Sequence, residues 1–305
     1  MAERPGILLK IRNNLRGIII ASPWIIWLAV ADVCLSLLFP FKLFNPDIVY
    51  DLSSSVAYSV WRSIQYIFEN FNGARVNISG DPLPCGESAV VLCNHVGWCD
   101  FFMIQSLAIK AGMLSRQRYF AKMQLRWVPF LGWGLWAMGF PLVSRNWLKD
   151  KEELGKVFSN IVGRKWPIWL VSYIEGTRYS RRKYIESEAW CRQNNRVQPK
   201  NLLYPRTKGF IATVKELRKA SHVKAVYVLT VAYRQRLAFQ KAPTMWETLS
   251  LPGLTEEVGY HFYVHARRFL LEDLPHSEED LAKWLENRWV EGGEWLETIK
   301  NQCNS

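Results

Sequence analysis

"SAVVLCNHVGWCDFFMIQSLAIKAG", residues 88–112, carries the reading that decides the fold. Its opening, SAVVLCN (88–94), is a near-continuous apolar run, the pattern of a strand buried on both faces. DFFMIQSLAIKAG (100–112) reads as a helix. A strand, a short loop and a helix make the first part of an α/β unit. The loop holds His95, and Asp100 opens the helix; neither belongs in a core strand without a chemical reason.

The same alternation continues outward. GFPLVSR (139–145) reads as a strand, NWLKDKEELGKVFSNIV (146–162) as a charged amphipathic helix, and WPIWLVSYIEGT (166–177) as a strand followed by a basic stretch. GFIATVKELRKA (209–220) reads as a helix, VKAVYVLTVAY (223–233) as a strand and YHFYVHARRFLLEDL (260–274) as a late strand. A final amphipathic helix follows Ser277, which with Asp280 resembles a capping box, a motif that prefers Glu or Gln at the second position. The uncharged stretch WVPFLGWGLWAMGFPLV (127–143) contains Pro129 and glycines at 132, 134 and 139, so a loop followed by a strand is expected there. The pattern predicts an α/β domain, a mixed sheet flanked by helices, over residues 75–305.

The 305 residues carry a formal net charge of +12, fifteen tryptophans and 49% hydrophobic residues. This excludes a disordered chain and suits a protein facing an anionic bilayer surface. Nucleic acid is the rival partner of a basic chain, but there is no Lys/Arg-rich recognition helix, zinc-finger spacing or RNA-binding aromatic signature. Cys34, Cys85, Cys93, Cys99, Cys191 and Cys303 form no CxxC and no regular framework, so reduced thiols are expected, with neither zinc nor disulfides.

Ahead of the α/β pattern, residues 18–39 are long enough to cross a bilayer at about 20 residues per span. Arg4, Lys10, Arg12 and Arg16 precede them, and no signal-peptide cleavage site stands out afterwards. Pro23 favours a break, and Asp32 would be costly at mid-bilayer. In residues 48–71, Val56, Val60, Ile64, Ile67 and Phe71 recur at helical spacing, while Asp51, Arg62, Gln65 and Glu69 make the segment amphipathic. A single span and a buried helix are the plain readings of the two segments. An N-terminal membrane-associated helical hairpin over residues 1–74, dipping into one leaflet, fits both.

A five-residue spacing turns about 140° around a helix, so His95 and Asp100 meet only through a turn at Val96–Gly97–Trp98. A carboxylate on one imidazole nitrogen fixes the tautomer and leaves the other as a general base. The chain has no GxSxG, HExxH, P-loop or dinucleotide-binding glycine pattern. Cys99 is expected to be a buried structural thiol, so the base would act on a substrate hydroxyl without a covalent acyl-enzyme. A second polar cluster, Glu175–Gly176–Thr177–Arg178, ends another strand and could hold an anion. Arg181, Arg182 and Lys183 beyond it read equally as solvated surface or lipid contact. Arg145 ends a third strand, and three polar strand ends suggest one crevice outside the strand termini.

Together these places resemble the glycerolipid acyltransferase (lysophosphatidate acyltransferase, PlsC-type) family. Its N-H-x4-D block is similar to Asn94–Asp100, its G-x5-R block to Gly139–Arg145 and its E-G-T-R block to Glu175–Arg178. The likeness covers about residues 80–300. It is closest to the eukaryotic branch of lysocardiolipin and lysophosphatidylinositol acyltransferases, through LLYPRTKGF (202–210), AVYVLTVAY (225–233) and LAKWLENRWVEGGEWL (281–296). The fourth block departs: Leu229 and Thr230 stand where many members carry a proline.

The resemblance implies acyl transfer from acyl-CoA, as co-substrate, to a free hydroxyl of a lysophospholipid, with no cofactor and no metal. His95 would be the base and Asp100 its orienter, with Asn94 and Gly97 supporting the turn. Arg145, Glu175, Gly176, Thr177 and Arg178 would bind the acceptor phosphate, and Lys122 would help hold phosphate or the developing oxyanion. The expected acceptor is lysophosphatidylinositol or lysophosphatidate, with lysocardiolipin the alternative. A CoA-independent phospholipid transacylase or hydrolase is a second enzymatic reading, and a basic lipid-binding membrane protein the non-enzymatic one. The expected place is a membrane, the endoplasmic reticulum, with the catalytic domain toward the cytosol.

Overall fold

The computed structural model describes residues 6–128, 132–144 and 147–302. Arg4, Pro129, Arg145 and Cys303 lie outside the described residues. Nine strands are described: β1 Val76–Gly80, β2 Ser88–Cys93, β3 Gln117–Tyr119, β4 Ala121–Lys122, β5 Leu142–Val143, β6 Trp169–Tyr173, β7 Val223–Gln235, β8 Ala238–Phe239 and β9 Tyr260–Leu270. The described helices are α1 Ile7–Leu38, α2 Pro46–Tyr66, α3 Asp100–Lys110, α4 Gly132–Ala137, α5 Trp147–Arg164, α6 Arg181–Gln193, α7 Thr207–Leu217, α8 Met245–Ser250 and α9 Glu278–Asn301.

All six residues of β2 lie inside the fold, as its apolar run demands. Its side chains alternate between two cores: Ala89, Val91 and Cys93 join α3 and the end of α2, while Val90 and Leu92 join α5, α7 and α9. Residues of the central strand β7 divide in the same way. The result is a mixed seven-stranded sheet in the order β1-β9-β7-β2-β6-β3, with β8 paired to β7 and helices on both faces. β3, β6, β2 and β7 are mutually parallel, and β9 runs antiparallel to β7. The C-terminal ends of the parallel strands therefore share one rim, where α/β sheets place their ligands.

α1 and α2 form a hairpin through the turn Phe39–Leu43. Pro23 does not break α1, contrary to expectation. A proline removes the bond to the carbonyl four residues back, and here the Ser22 hydroxyl donates to that Ile19 carbonyl at 3.2 Å. Asp32 faces inward against Gly134 of α4. The run Ile7–Leu43 is the one stretch among the described residues long and apolar enough to cross a membrane. Yet α1 touches the sheet domain near both its ends. Arg16 donates to Asn72 Oδ1 at 2.6 Å and to the Ser250 carbonyl at 3.1 Å, and Leu35 packs with Leu135 and Met138. α2 and the π-helical turn Ile67–Phe71 that follows it run into the core itself, with Ile64 and Phe68 packed among sheet residues.

The 127–143 region differs from the expected loop and strand. Gly132 and Gly134 lie in α4, and only Leu142–Val143 is extended, paired in parallel with Ala121–Lys122. A Cβ on Gly134 would stand 2.9 Å from Asp32 Oδ1, so this glycine admits α1. α6 forms where only a basic stretch was expected, capped by Ser180. At α9, Ser277 accepts from the Asp280 N–H, and Glu278, Glu279 and Asp280 sit at the positive end of the helix dipole.

Candidate active site

β2 ends at Cys93 and delivers Asn94 and His95 to the rim. Asn94 is buried, accepting from the Val231 N–H at 2.7 Å and donating to the Val231 carbonyl at 3.1 Å, which pins the loop to β7. The chain then turns through Val96–Gly97–Trp98, and Asp100 opens α3. The Asp100 carboxylate organises that turn: it accepts from Val96 N–H at 2.8 Å and Gly97 N–H at 3.1 Å. It also accepts from His95 Nδ1 at 2.6 Å and from the Tyr233 hydroxyl at 2.7 Å. The two residues thus meet through a turn. Gly97 keeps φ outside the left-handed region, so the turn does not call on glycine's conformational freedom.

Asp100 is fully buried and the His95 side chain is 18% exposed. With Nδ1–H donated to the carboxylate, Nε2 is left as the acceptor. The imidazole is stacked on Tyr173, with ring centroids 4.1 Å apart. Burial, and then the Asp100 charge, push the Tyr233 phenol far up, so it stays a donor. Burial likewise raises the thiols of Cys93 and Cys99, which removes both as nucleophiles.

The E-G-T-R loop follows β6 and is sewn to the histidine loop. Tyr179 N–H donates to the His95 carbonyl at 2.6 Å, and Ile174 N–H to the Cys93 carbonyl at 3.2 Å. Glu175 is 3% exposed, and its carboxyl accepts from His95 N–H at 3.3 Å and Leu203 N–H at 3.1 Å. Through these backbone N–H groups Glu175 clasps two loops, the histidine loop and the segment at Leu203. Burial drives its pKa up to about 8 against those N–H donors. Gly176 has φ +68°, a left-handed conformation that favours glycine, and the Arg206 side chain lies directly over it. The Thr177 hydroxyl accepts from Lys183 Nζ, which also donates to the Arg178 carbonyl at 3.2 Å. Lys183 therefore braces this loop. The Arg178 side chain is exposed.

Lys122 is exposed on β4, just past the end of β3 and thus on the same rim; its strand partner is Val143. The structure brings together Asn94, His95, Gly97, Asp100 and the Glu175–Arg178 loop. Three groups went unread in the sequence: Tyr173, Tyr233 and Arg206. Tyr233 lies at the end of VYVLTVAY, but only the pairing of β7 with β2 carries it to Asp100.

Against this geometry the comparisons are direct. The family model described as Acyltransferase matches residues 75–234, and that described as Acyltransferase C-terminus matches residues 254–301. The chain belongs to the acyltransferase family. It is 29% identical over 239 residues to "1-acyl-sn-glycerol-3-phosphate acyltransferase 2" of Brassica oleracea, covering 77% of this chain and 58% of that one. It is 28% identical over 251 residues to "Lysocardiolipin acyltransferase 1" of Mus musculus, covering 82% and 64%. The chain thus spans less than two thirds of the length of these relatives. The crystal structure of the 1-acyl-sn-glycerophosphate (LPA) acyltransferase, PlsC, from Thermotoga maritima aligns with a TM-score of 0.48 at 18% identity, over 88% of this chain and 97% of that one.

Proposed function

We propose that the chain is an acyl-CoA-dependent O-acyltransferase that acylates a lysophospholipid hydroxyl, with His95 as general base and no covalent acyl-enzyme. One observation carries this reading: a buried carboxylate orients an accessible imidazole at the strand rim, and the cysteines beside it are buried and protonated. His95 Nε2 takes the proton of the acceptor hydroxyl as its oxygen attacks the thioester carbonyl. The C–O bond forms and the carbonyl π electrons move to oxygen. Collapse then breaks the C–S bond, and the leaving thiolate takes the proton back from the imidazolium. Asp100 stabilises that imidazolium, and Tyr233 fixes Asp100.

Arg178, the Gly176–Thr177 backbone and Arg145 are proposed to hold the acceptor phosphate, with Lys122 on that phosphate or the oxyanion. Lysophosphatidylinositol or lysophosphatidate is the proposed acceptor, and lysocardiolipin the alternative. Residues 1–74 are proposed as the membrane-contacting part and residues 75–305 as the catalytic domain, on the cytosolic face of the endoplasmic reticulum. The contacts of α1 with the sheet domain near both helix ends favour a helix lying in one leaflet.

The test is incubation of the purified protein and its His95→Ala variant with labelled acyl-CoA and a panel of lysophospholipids. A His95-dependent product, absent without acyl-CoA, is expected. Product formed without acyl-CoA would support the transacylase instead, and no His95-dependent product with any acceptor would reject the enzyme.

A further inference from the structure

A second cationic site lies where the α1–α2 hairpin turn meets the edge of the sheet. A cavity of about 70 Å³ is lined there by Lys42, Tyr50, Ser53, Arg118 and Trp166. Ile168, also on its wall, precedes β6, and Glu175 follows that strand. Seven strand steps separate the two, on the order of 20 Å, so the cavity is not part of the histidine site.

Arg118 is only 2% exposed, and burial works against its charge. Among the described residues its acceptors are neutral: the Met138, Ser115 and Gln117 carbonyls and the Ser54 hydroxyl. A buried guanidinium without an anion is costly, so its surroundings call for one. Cations are instead gathered around it. Lys42 lies within electrostatic reach of both Arg118 and Arg164. Arg164 caps a stack that runs through Trp166 and Tyr50 to Arg118, with Trp166 and Tyr50 4.3 Å apart. The nearby carboxylate of Asp47 is already taken by Arg164 at 3.5 Å and Trp166 Nε1 at 2.8 Å. On the outside of the same turn, Phe41, Leu43, Phe44 and Ile48 are exposed, as a bilayer-inserting tip would be.

We propose that this cavity binds a phosphate-type anion through Lys42 and Arg118, with Arg164 at its edge, and that the hairpin tip presents it to lipid headgroups. Headgroup phosphate and free phosphate share that chemistry, and the site does not depend on the acyl-transfer reading. The full chain is tested by flotation with phosphatidylcholine vesicles, with and without phosphatidate, and by thermal unfolding with and without inorganic phosphate at constant ionic strength. The variants are Lys42→Gln, Arg164→Gln and, on the exposed face of α1, Lys10→Gln; Arg118 is left intact to preserve folding.

Lys42→Gln should lower partition into phosphatidate vesicles roughly fivefold, with Arg164→Gln in the same direction and Lys10→Gln near wild type. A Lys42-dependent loss with no effect of inorganic phosphate identifies the headgroup as the source. Stabilisation by inorganic phosphate that Lys42→Gln abolishes identifies free phosphate. Equal losses in Lys10→Gln and Lys42→Gln, or no loss in Lys42→Gln in either arm, overturn the site.

Discussion

At the residue scale, the centre of the site is a carboxylate with four donors around it. Three of them, His95 Nδ1 and the Val96 and Gly97 N–H groups, come from the loop it closes, and the fourth is the Tyr233 hydroxyl from β7. Tyr233→Phe removes a hydrogen bond to a buried charge without touching substrate. It should lower kcat roughly tenfold and leave the acceptor KM unchanged; a raised KM with kcat intact would place Tyr233 in binding instead. Glu175 gives a pH prediction. Its folded pKa of about 8 stands above the ordinary 4.5, so the native state holds a proton that the unfolded chain has already released. Stability therefore falls as pH rises from about 4.5 through about 8. Glu175→Gln should flatten that slope in denaturation midpoints measured across the window, and an unchanged slope would show that Glu175 is not its source.

At the element scale, the sequence was most legible where burial is symmetrical. SAVVLCN, VKAVYVLTVAY and the 209–220 helix read correctly because continuous apolar runs and helical spacing survive in one dimension. GFPLVSR shrank to Leu142–Val143, and the glycines at 132 and 134 turned out helical: Gly132 sits close against the Leu125 and Arg126 carbonyls, and Gly134 against Asp32 of α1, about a hundred residues away in sequence. Pro23 misled for a local reason, since Ser22 covers the carbonyl it frees. His95 and Asp100 were legible as a motif, whereas Tyr173 and Tyr233 depend on strand register, which the chain does not spell out. Close helix contact is itself testable. A Cβ on Gly17 would lie 2.7 Å from Ser250 Cβ, so Gly17→Leu should force α1 off α8. Overpacking of this kind costs about 1–3 kcal/mol, a fall of several degrees in Tm; an unchanged melting curve would mean that α1 is not seated there.

At the scale of the whole molecule, a hairpin of one apolar and one amphipathic helix is laid along one part of a basic α/β domain whose proposed catalytic rim carries the exposed cations Lys122 and Arg178. A helix held near both ends by the same domain cannot cross a bilayer and leave that domain wholly on one side. Tags at residue 1 and near residue 300 should therefore report the same side in a protease-protection assay, and opposite sides would require a span. The most direct measurement of the proposed chemistry is release of the free CoA thiol from acyl-CoA, with and without lysophosphatidate or lysophosphatidylinositol, by the wild-type protein and His95→Ala. A base acting on the acceptor hydroxyl predicts release that needs both an acceptor and His95, with a loss of about 10²–10⁴-fold in the variant. A stoichiometric burst of thiol before any acceptor is added, or equal rates in the variant, would contradict it.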